Sequence, residues 1–183
     1  MAGKVLLHVC CGPCGVHPVE TLLGEGFAVQ GFFFNPNIHP YQEHERRRQA
    51  LSQFAEAQSL PMIWADDYDL ESWLRMTAFR ERDRCPFCYH LRLQETARQA
   101  RSLGFDFFSS TLLYSKHQEH DRIRELGIAL AQQHEVPFLY RDFREGWKRG
   151  IEASKQMGLY RQSYCGCIYS ERDRYQKPGK GNP

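Results

Sequence analysis

Short continuous apolar runs alternate along the chain with apolar residues at helical spacing. Residues 5–7, Val-Leu-Leu, form a run typical of a buried strand, and residues 27–34 form a second one. Between them the apolar residues have the three-to-four spacing of an amphipathic helix: Val16, Val19, Leu22 and Leu23. Strand, helix and strand within about thirty residues predict one βαβ unit with parallel strands.

The same alternation continues to about residue 157. It predicts helices over residues 41–59, 85–103, 117–134 and 146–157, and strands over 61–64, 105–110 and 137–140. Asp69 is expected to cap a further helix that carries Trp73. The pattern therefore predicts a single α/β domain over residues 1–175, with a mostly parallel sheet flanked by helices and a Cys-rich carboxyl-terminal extension. Residues 176–183 are predicted to be a flexible tail.

Composition and charge narrow the class of protein. Of 183 residues, 42% are hydrophobic and 25% charged, and no apolar run approaches the ~20 residues of a membrane span. We therefore expect a cytoplasmic protein without a membrane partner. The net charge is only +2, but residues 141–180 hold ten Lys and Arg against five acids, and residues 75–101 hold seven Arg against three. Basic segments of this kind favour a polyanion such as RNA as the partner.

Three of the seven cysteines lie at the first strand-to-helix turn, as Cys10, Cys11 and Cys14. In a parallel sheet this turn lies at the carboxyl edge of the strands, where ligands bind. The positive end of the following helix also favours the thiolate form, which binds metals and attacks disulfides. An odd number of grouped cysteines in a reducing compartment indicates metal binding or redox chemistry.

Two metal sites are compatible with the spacing. Cys10 and Cys11 with Cys85 and Cys88 offer four thiolates, and neighbouring residues at a turn can each reach a different iron of a cubane cluster. Cys11 and Cys14 with Cys85 and Cys88 instead form the two Cys-x-x-Cys loops of a tetrahedral zinc site. The residues alone leave zinc and iron–sulfur chemistry open.

Two further patterns are typical of redox chemistry. Residues 11–14, Cys-Gly-Pro-Cys, match the redox tetrapeptide of thioredoxin-like proteins, although no βα unit precedes them and Cys10 replaces the customary Trp. A disulfide between Cys165 and Cys167 closes a small strained ring, and strained disulfides are the labile, redox-active kind. Gly166 supplies the backbone freedom that such a ring requires.

Several rare motifs in one order resemble the epoxyqueuosine reductase family of the QueH type. They occupy residues 6–14, 33–40, 84–89, 111–115 and 164–167, so the resemblance runs over nearly the whole chain. It implies an oxidoreductase, independent of cobalamin, for the last step of queuosine synthesis on tRNA. In that step the epoxide of epoxyqueuosine in the anticodon loop is reduced to the alkene, with electrons from a donor that the sequence does not identify.

The resemblance also implies roles for the cysteines. Cys10, Cys11, Cys85 and Cys88 would bind a [4Fe–4S] cluster, and Cys165 with Cys167 would form a redox-active disulfide. Cys14 matches a family position as well, which allows for one additional iron ion beside the cluster. The fold would be similar to the Rossmann-like adenine nucleotide alpha hydrolase group. Because residues 11–15 lack the Lys and Ser/Thr of a phosphate loop, we expect no dependence on ATP.

An anticodon loop would be bound by aromatic and basic side chains together. The predicted RNA-binding residues lie in the basic carboxyl-terminal segment and are Arg161, Tyr164, Arg172 and Arg174. Two other functions fit the same sequence. One is a zinc-stabilised RNA-binding module without catalysis, and the other is a general thiol–disulfide oxidoreductase.

Overall fold

A four-stranded parallel sheet organises the computed structural model, which describes residues 2–65 and 68–176. The strands are β1 (Lys4–His8), β2 (Ala28–Phe33), β3 (Met62–Trp64) and β4 (Phe107–Ser110), and their order across the sheet is β3-β2-β1-β4. Every pairing between neighbouring strands is parallel. Residues 177–183 of the predicted tail lie outside the described residues.

Seven α-helices flank the sheet within the described ranges. They are α1 (Gly12–Gly24), α2 (Tyr41–Gln58), α3 (Leu70–Thr77), α4 (Arg84–Ser102), α5 (His120–His134), α6 (Trp147–Gln156) and α7 (Ile168–Tyr175). Helix α1 packs against α2 and α6, whereas α4 packs against α5 and the two strands β1 and β4. None of the helices in this part of the chain combines the length and the apolar character needed to cross a lipid bilayer.

The core lies on both faces of β1, as its continuous apolar run predicts. Val5, Leu6 and Leu7 are completely buried. Three of the apolar residues that predicted the first helix are buried as well, Val16, Val19 and Leu22, whereas Leu23 is 46% exposed. The other helices also contribute buried apolar side chains: Leu51, Phe54, Ala55, Leu93, Ala97, Ala100, Ile123 and Leu130. The predicted fold class, a parallel α/β sheet between layers of helices, is confirmed.

The strand order places a crevice at the carboxyl end of β1. From β1 the chain passes to β2 on one side, and β4 pairs with the other side, so the connections diverge there. Ligands of open α/β sheets bind at such switch points. The backbone N–H of Cys10 donates to Thr111 Oγ1 at 3.3 Å across this crevice. The predicted placement of the thiol-bearing turn at the sheet edge is thus confirmed.

Two local predictions have different outcomes, and one helix was not predicted. Asp69 caps α3, because its carboxylate accepts from the Ser72 N–H at 2.9 Å. The strand predicted at residues 137–140 is wrong: only an isolated bridge between Phe108 and Phe138 forms there. A longer ladder does not form because Pro137 has no backbone N–H to donate to a neighbouring strand. Helix α7 was not predicted, because it buries no side chain and so leaves no apolar stripe in the sequence.

Candidate metal centre

The β1–α1 turn gathers three buried thiols. Cys11 is the extended residue before α1, and Gly12 opens the helix against the backbone of Ala50, where a Cβ atom would collide with its carbonyl. The Sγ atoms of Cys10, Cys11 and Cys14 all lie within 4.8 Å of one another. We call these three residues the buried triad.

Electrostatics inside the buried triad leaves one thiol as the principal site of negative charge. Hydrogen bonds from Cys11 and Cys14 hold the pKa of Cys10 well below its usual value. Burial raises the pKa of Cys11, and the hydrogen bond with Cys10 raises the pKa of Cys14. Since metals bind thiolates, a cation would replace the protons that these sulfur atoms now share.

The sulfur geometry fits a metal ion. The Sγ atoms of Cys10 and Cys11 are 3.9 Å apart. Metal–sulfur bonds of ~2.3 Å in a tetrahedron place two thiolates roughly 3.8 Å apart. The buried triad can therefore hold a metal ion, with a coordination position left for a further ligand.

One polar side chain that the sequence analysis did not single out contacts these thiols, and a second, Arg92, acts on Cys10 through its charge. Gln162 reaches two of them: its Nε2 donates to Cys14 Sγ at 3.3 Å, and its Oε1 lies 3.3 Å from Cys11 Sγ. Arg92 is buried and donates to Asn37 Oδ1 at 2.9 and 2.8 Å. Arg92 follows Cys85 and Cys88 by seven and four residues, the spacing of one helix face, and this signal was available in the sequence.

The other two predicted ligands lie on the first turn of α4 and are partly buried. Burial raises the pKa of Cys85, and it raises the pKa of Cys88 to about 12. The charges of Cys165 and Cys167 raise both values further, so these two thiols lie near enough to Cys85 and Cys88 to interact with them electrostatically. Within the described residues the close group of thiols does not include Cys85 or Cys88. Arg92 connects the two groups, because its charge favours the thiolates of both Cys10 and Cys88.

The predicted redox pair lies on a turn at the surface. Gly166, between the two cysteines, has φ of +153°, a value that favours glycine. Cys165 is exposed, Cys167 is partly buried, and both are free thiols. The Gln118 side chain donates to Cys165 Sγ at 3.2 Å.

A buried ion pair fixes the backbone of this turn. Arg47 donates through Nε to Glu43 Oε1 at 2.7 Å, through Nη1 to the Cys165 carbonyl at 2.7 Å, and through Nη2 to the Tyr164 carbonyl at 2.9 Å. Tyr160 donates to the other Glu43 oxygen at 2.5 Å. We call Arg47, Glu43 and Tyr160 the Arg47 clamp.

His39 supplies a second set of contacts to the same segment. Its backbone N–H donates to the Gly166 carbonyl at 2.8 Å, and its own carbonyl accepts from the Tyr164 hydroxyl at 2.6 Å. The ring Nδ1 accepts from the Ile168 N–H, the first residue of α7, at 3.4 Å. This turn is therefore exposed at Cys165 and anchored at its backbone.

A cavity of about 440 Å³ joins the two ends of this arrangement. Its lining includes Cys10 and Cys14 from the buried triad, Cys165 from the surface turn, and Arg92. Three of the four predicted RNA-binding residues line it as well: Arg161, Tyr164 and Arg174. The fourth, Arg172, is not among the lining residues; it donates to Asp173 at 2.8 Å and stacks on Tyr169.

Comparison with known sequences relates the site to a family. The sequence profile of the family described as "Epoxyqueuosine reductase QueH" matches residues 5–173. The chain belongs to this family. A QueH protein of Dehalococcoides mccartyi is 36% identical over 97% of this chain and 98% of its own length. QueH of Acinetobacter baylyi is 37% identical over 94% and 82%, and QueH of Thermotoga maritima is 35% identical over 96% and 94%. These relatives are epoxyqueuosine reductases by name, so membership of the QueH family makes the chain an oxidoreductase.

Solved structures share the fold at low sequence identity. A predicted subunit of a tRNA methyltransferase from Methanocaldococcus jannaschii superposes with a TM-score of 0.58, at 9% identity, over 84% of this chain and 74% of its own. Teicoplanin deacetylase Orf2, in a zinc-inhibited form, gives a TM-score of 0.50 at 10% identity over 87% of each chain. Both similarities concern the Rossmann-like architecture of this QueH-family chain and not its chemistry.

Proposed function

We propose that the protein reduces the epoxide of epoxyqueuosine in a tRNA anticodon loop to the alkene, the last step of queuosine synthesis. The observation that carries this proposal is one cavity lined at one end by Cys10 and Cys14, whose buried triad could hold a metal, and at the other by Cys165. A reductase of a modified base needs electron-supplying groups and a binding space in contact. The basic and aromatic lining supports a nucleotide as the occupant of that space.

The two thiols of Cys165 and Cys167 can supply the electrons and protons that this reaction consumes. Removal of an epoxide oxygen as water consumes two electrons and two protons. Oxidation of Cys165 and Cys167 from two thiols to one disulfide releases two electrons and two protons. An external reductant of the dithiol or low-potential electron-carrier class must then restore the thiols.

The donor set suits a thiolate-ligated iron cofactor. We propose that Cys10, Cys11, Cys85 and Cys88 hold a [4Fe–4S] cluster, and that Cys14 takes part in binding one additional iron. When bound, such a cofactor supplies one-electron transfer and Lewis acidity toward an epoxide oxygen. Cobalamin is not required in this scheme, because the dithiol provides both electrons.

The chain's own residues supply binding and charge. Arg92, buried beside the thiols and lining the cavity, is placed to stabilise negative charge that develops on the leaving oxygen. Arg161 and Arg174 would contact phosphates, and Arg172 would do so outside the cavity. Tyr164 is a poor proton donor, since its hydroxyl already donates to the His39 carbonyl and burial raises its pKa. The Cys165 thiol, exposed at the cavity, is the better source of a proton.

The experiment begins with protein purified without oxygen, on which iron, sulfide and zinc are measured. About four irons and four sulfides per chain are expected, and iron beyond four would indicate the additional site. The protein is then assayed on tRNA that carries epoxyqueuosine. Cys165→Ser should abolish turnover, whereas Ser102→Ala, at the exposed carboxyl end of α4, should keep it. A colourless protein with one zinc and no turnover would instead support a non-catalytic RNA-binding module.

A further inference from the structure

Phe79 is the most exposed large hydrophobic residue of the described chain. Its side chain is 99% exposed, whereas the next such residues reach 56%. It lies in residues 78–82, between α3 and α4, which we call the Phe79 loop. A fully exposed aromatic ring gains free energy when a partner covers it.

The Phe79 loop is a defined turn. Phe79 has φ of +62°, a left-handed conformation that is unfavourable for a residue other than glycine. Its backbone N–H donates to Glu81 Oε1 at 3.0 Å, and the N–H of Arg80 donates to the Thr77 carbonyl at 2.9 Å. These bonds stabilise the strained conformation and direct the ring outward.

The loop carries two arginines beside the ring, together with one acidic residue, Glu81. Arg80 and Arg82 are both exposed, and neither forms an ion pair with any residue in ranges 2–65 and 68–176. Arg80 stacks on Phe87 at 5.6 Å and so stays beside the loop. A single exposed ring between arginines is too small an apolar area for a stable protein interface, which buries about 800 Å² per partner. The combination is the one that binds single-stranded nucleic acid, in which rings stack on bases and arginines contact phosphates.

The Phe79 loop is connected to the cavity through α7. Thr77 Oγ1, just before the loop, lies 3.3 Å from the Tyr169 hydroxyl, and Arg84, just after it, donates to Asp173 at 2.6 Å. Asp173 and Arg174 of the same helix line the cavity. Since a helix with its side chains is about 10–12 Å wide, the loop lies roughly one helix width from the cavity.

We propose that the Phe79 loop is a second RNA contact, in which Phe79 stacks on an unpaired base of the anticodon loop next to the modified nucleotide. Arg80 and Arg82 contact the phosphates that flank this base. The proposal rests on the proposed function, because it assumes that the modified nucleotide of a tRNA enters the cavity. It adds a specificity for single-stranded RNA that the cavity alone does not explain.

The first test measures binding of an unmodified anticodon stem–loop RNA by anaerobically purified, metal-loaded protein. Phe79→Ala should weaken this binding about 5- to 100-fold, the measured range for losing one stacked base. Phe79→Trp should restore it. Leu103→Ala is the matched control, because Leu103 is 53% exposed but follows the far end of α4, about 28 Å away. The Leu103→Ala variant should bind the stem–loop with the affinity of the wild type.

Two further readouts separate stacking and charge from a general loss of structure. The indole introduced by Phe79→Trp should show fluorescence quenching by the stem–loop beyond that of the wild type, and none with a fully paired RNA duplex. Replacing Arg80 and Arg82 by Gln should reduce the log–log salt slope of binding by about 1.4, at ~0.7 per phosphate on single strands.

Equal stem–loop affinity of Phe79→Ala and wild type would overturn the proposal. A change of oligomeric state in Phe79→Ala with unchanged RNA affinity would assign the ring to self-association instead. Failure of the proposed function has a different signature: the wild-type protein would then not reduce epoxyqueuosine in tRNA, while stem–loop binding by the variants could still be compared.

Discussion

The buried triad and the Cys165–Cys167 turn both contribute thiols to one cavity, but the triad is buried and Cys165 is exposed. The buried triad lies on a strand-to-helix turn, with its backbone and its sulfur atoms inside the protein. The Cys165–Cys167 turn exposes the Cys165 thiol, whereas the carbonyl of Cys165 is held by the buried Arg47 side chain. Burial of thiols suits permanent ligation, because it excludes competing ligands and oxidants. Exposure suits a pair that must meet an external reductant, since exchange requires access.

The largest expected effect comes from removing one thiol of each group. Cys10→Ser should lower the bound iron and should lower the reductase activity by about 100-fold or more, because changes to residues that only support the ligands of a metal already cost about 10- to 100-fold. Cys165→Ser should lose activity to the same extent while it keeps its iron. Iron analysis and turnover on epoxyqueuosine tRNA measure both. Equal loss of iron in the two variants would remove the distinction between the groups.

The next effect concerns the ion pair that anchors the exposed group. Arg47→Met should reduce the free energy of unfolding by about 3–5 kcal/mol, because it leaves Glu43 buried without its cation. Arg75 and Glu71 form the matched control, an Arg–Glu pair of the same i,i+4 spacing that is more than 70% exposed. Arg75→Gln should cost less than about 0.5 kcal/mol. Denaturant unfolding measures both, and similar losses in the two variants would show that the Arg47 clamp is not a stabilising contact.

We expect acid to weaken the contacts by which His39 holds the Cys165–Cys167 turn. Burial, followed by the charge of Arg92, lowers the pKa of His39 to about 4, whereas an unfolded chain titrates near 6.5. Between these two pKa values the His39 ring is protonated in the unfolded state but neutral in the folded state. The free energy of unfolding therefore has its full value above pH 6.5 and falls as the pH drops toward 4. The expected loss is up to about 3 kcal/mol.

Unfolding measured from pH 7 to pH 4.5 tests this dependence. His39→Gln should reduce the slope of the profile by removing one titrating group, while His8, whose pKa burial also lowers to about 4, keeps the remainder. His90→Gln, at an exposed position of α4, should leave the wild-type slope. A His39→Gln profile as steep as that of the wild type would assign the acid sensitivity to other groups.

The smallest effect is at the centre of the redox turn. Gly166→Ala places a Cβ at φ of +153°, 3.2 Å from Arg47 Nη1 and 3.3 Å from the Ile38 side chain, and should cost about 1–3 kcal/mol. Gly158→Ala, at φ of +64° in open space, should cost about 1 kcal/mol. Only the first should also slow disulfide formation between Cys165 and Cys167. Equal rates would show that the turn does not need glycine for its redox chemistry.

The sequence predicted features that depend on local spacing. The apolar runs at residues 5–7 and 27–34 predicted β1 and β2, and the thiol-bearing turn between strand and helix predicted the edge of the sheet at which Cys10 lies. These predictions succeed because strand and helix periods are local and parallel strands share one carboxyl edge.

Features that depend on distant partners could not be read in the same way. Among the arginines at positions 46–48, only the fold decides that Arg47 turns inward, since its partners Tyr164 and Cys165 are 117 and 118 residues away. Helix α7 is held by polar and aromatic contacts such as those of Tyr169, which leave no hydrophobic period. The grouping of Cys14 rather than Cys88 with Cys10 likewise follows from side-chain directions at the turn.

The Arg47 clamp and His39 have a consequence for the order of folding. Their bonds to the carboxyl-terminal segment join residues 117 to 129 positions apart in the chain. Closing such long loops costs entropy that is recovered only once both partners are in place, so these contacts form after the local βαβ unit. We therefore expect the carboxyl-terminal segment to dock last. Until it docks, a newly made chain leaves its amino-terminal thiols open to the solvent, and this interval is when metal incorporation and oxidative damage compete.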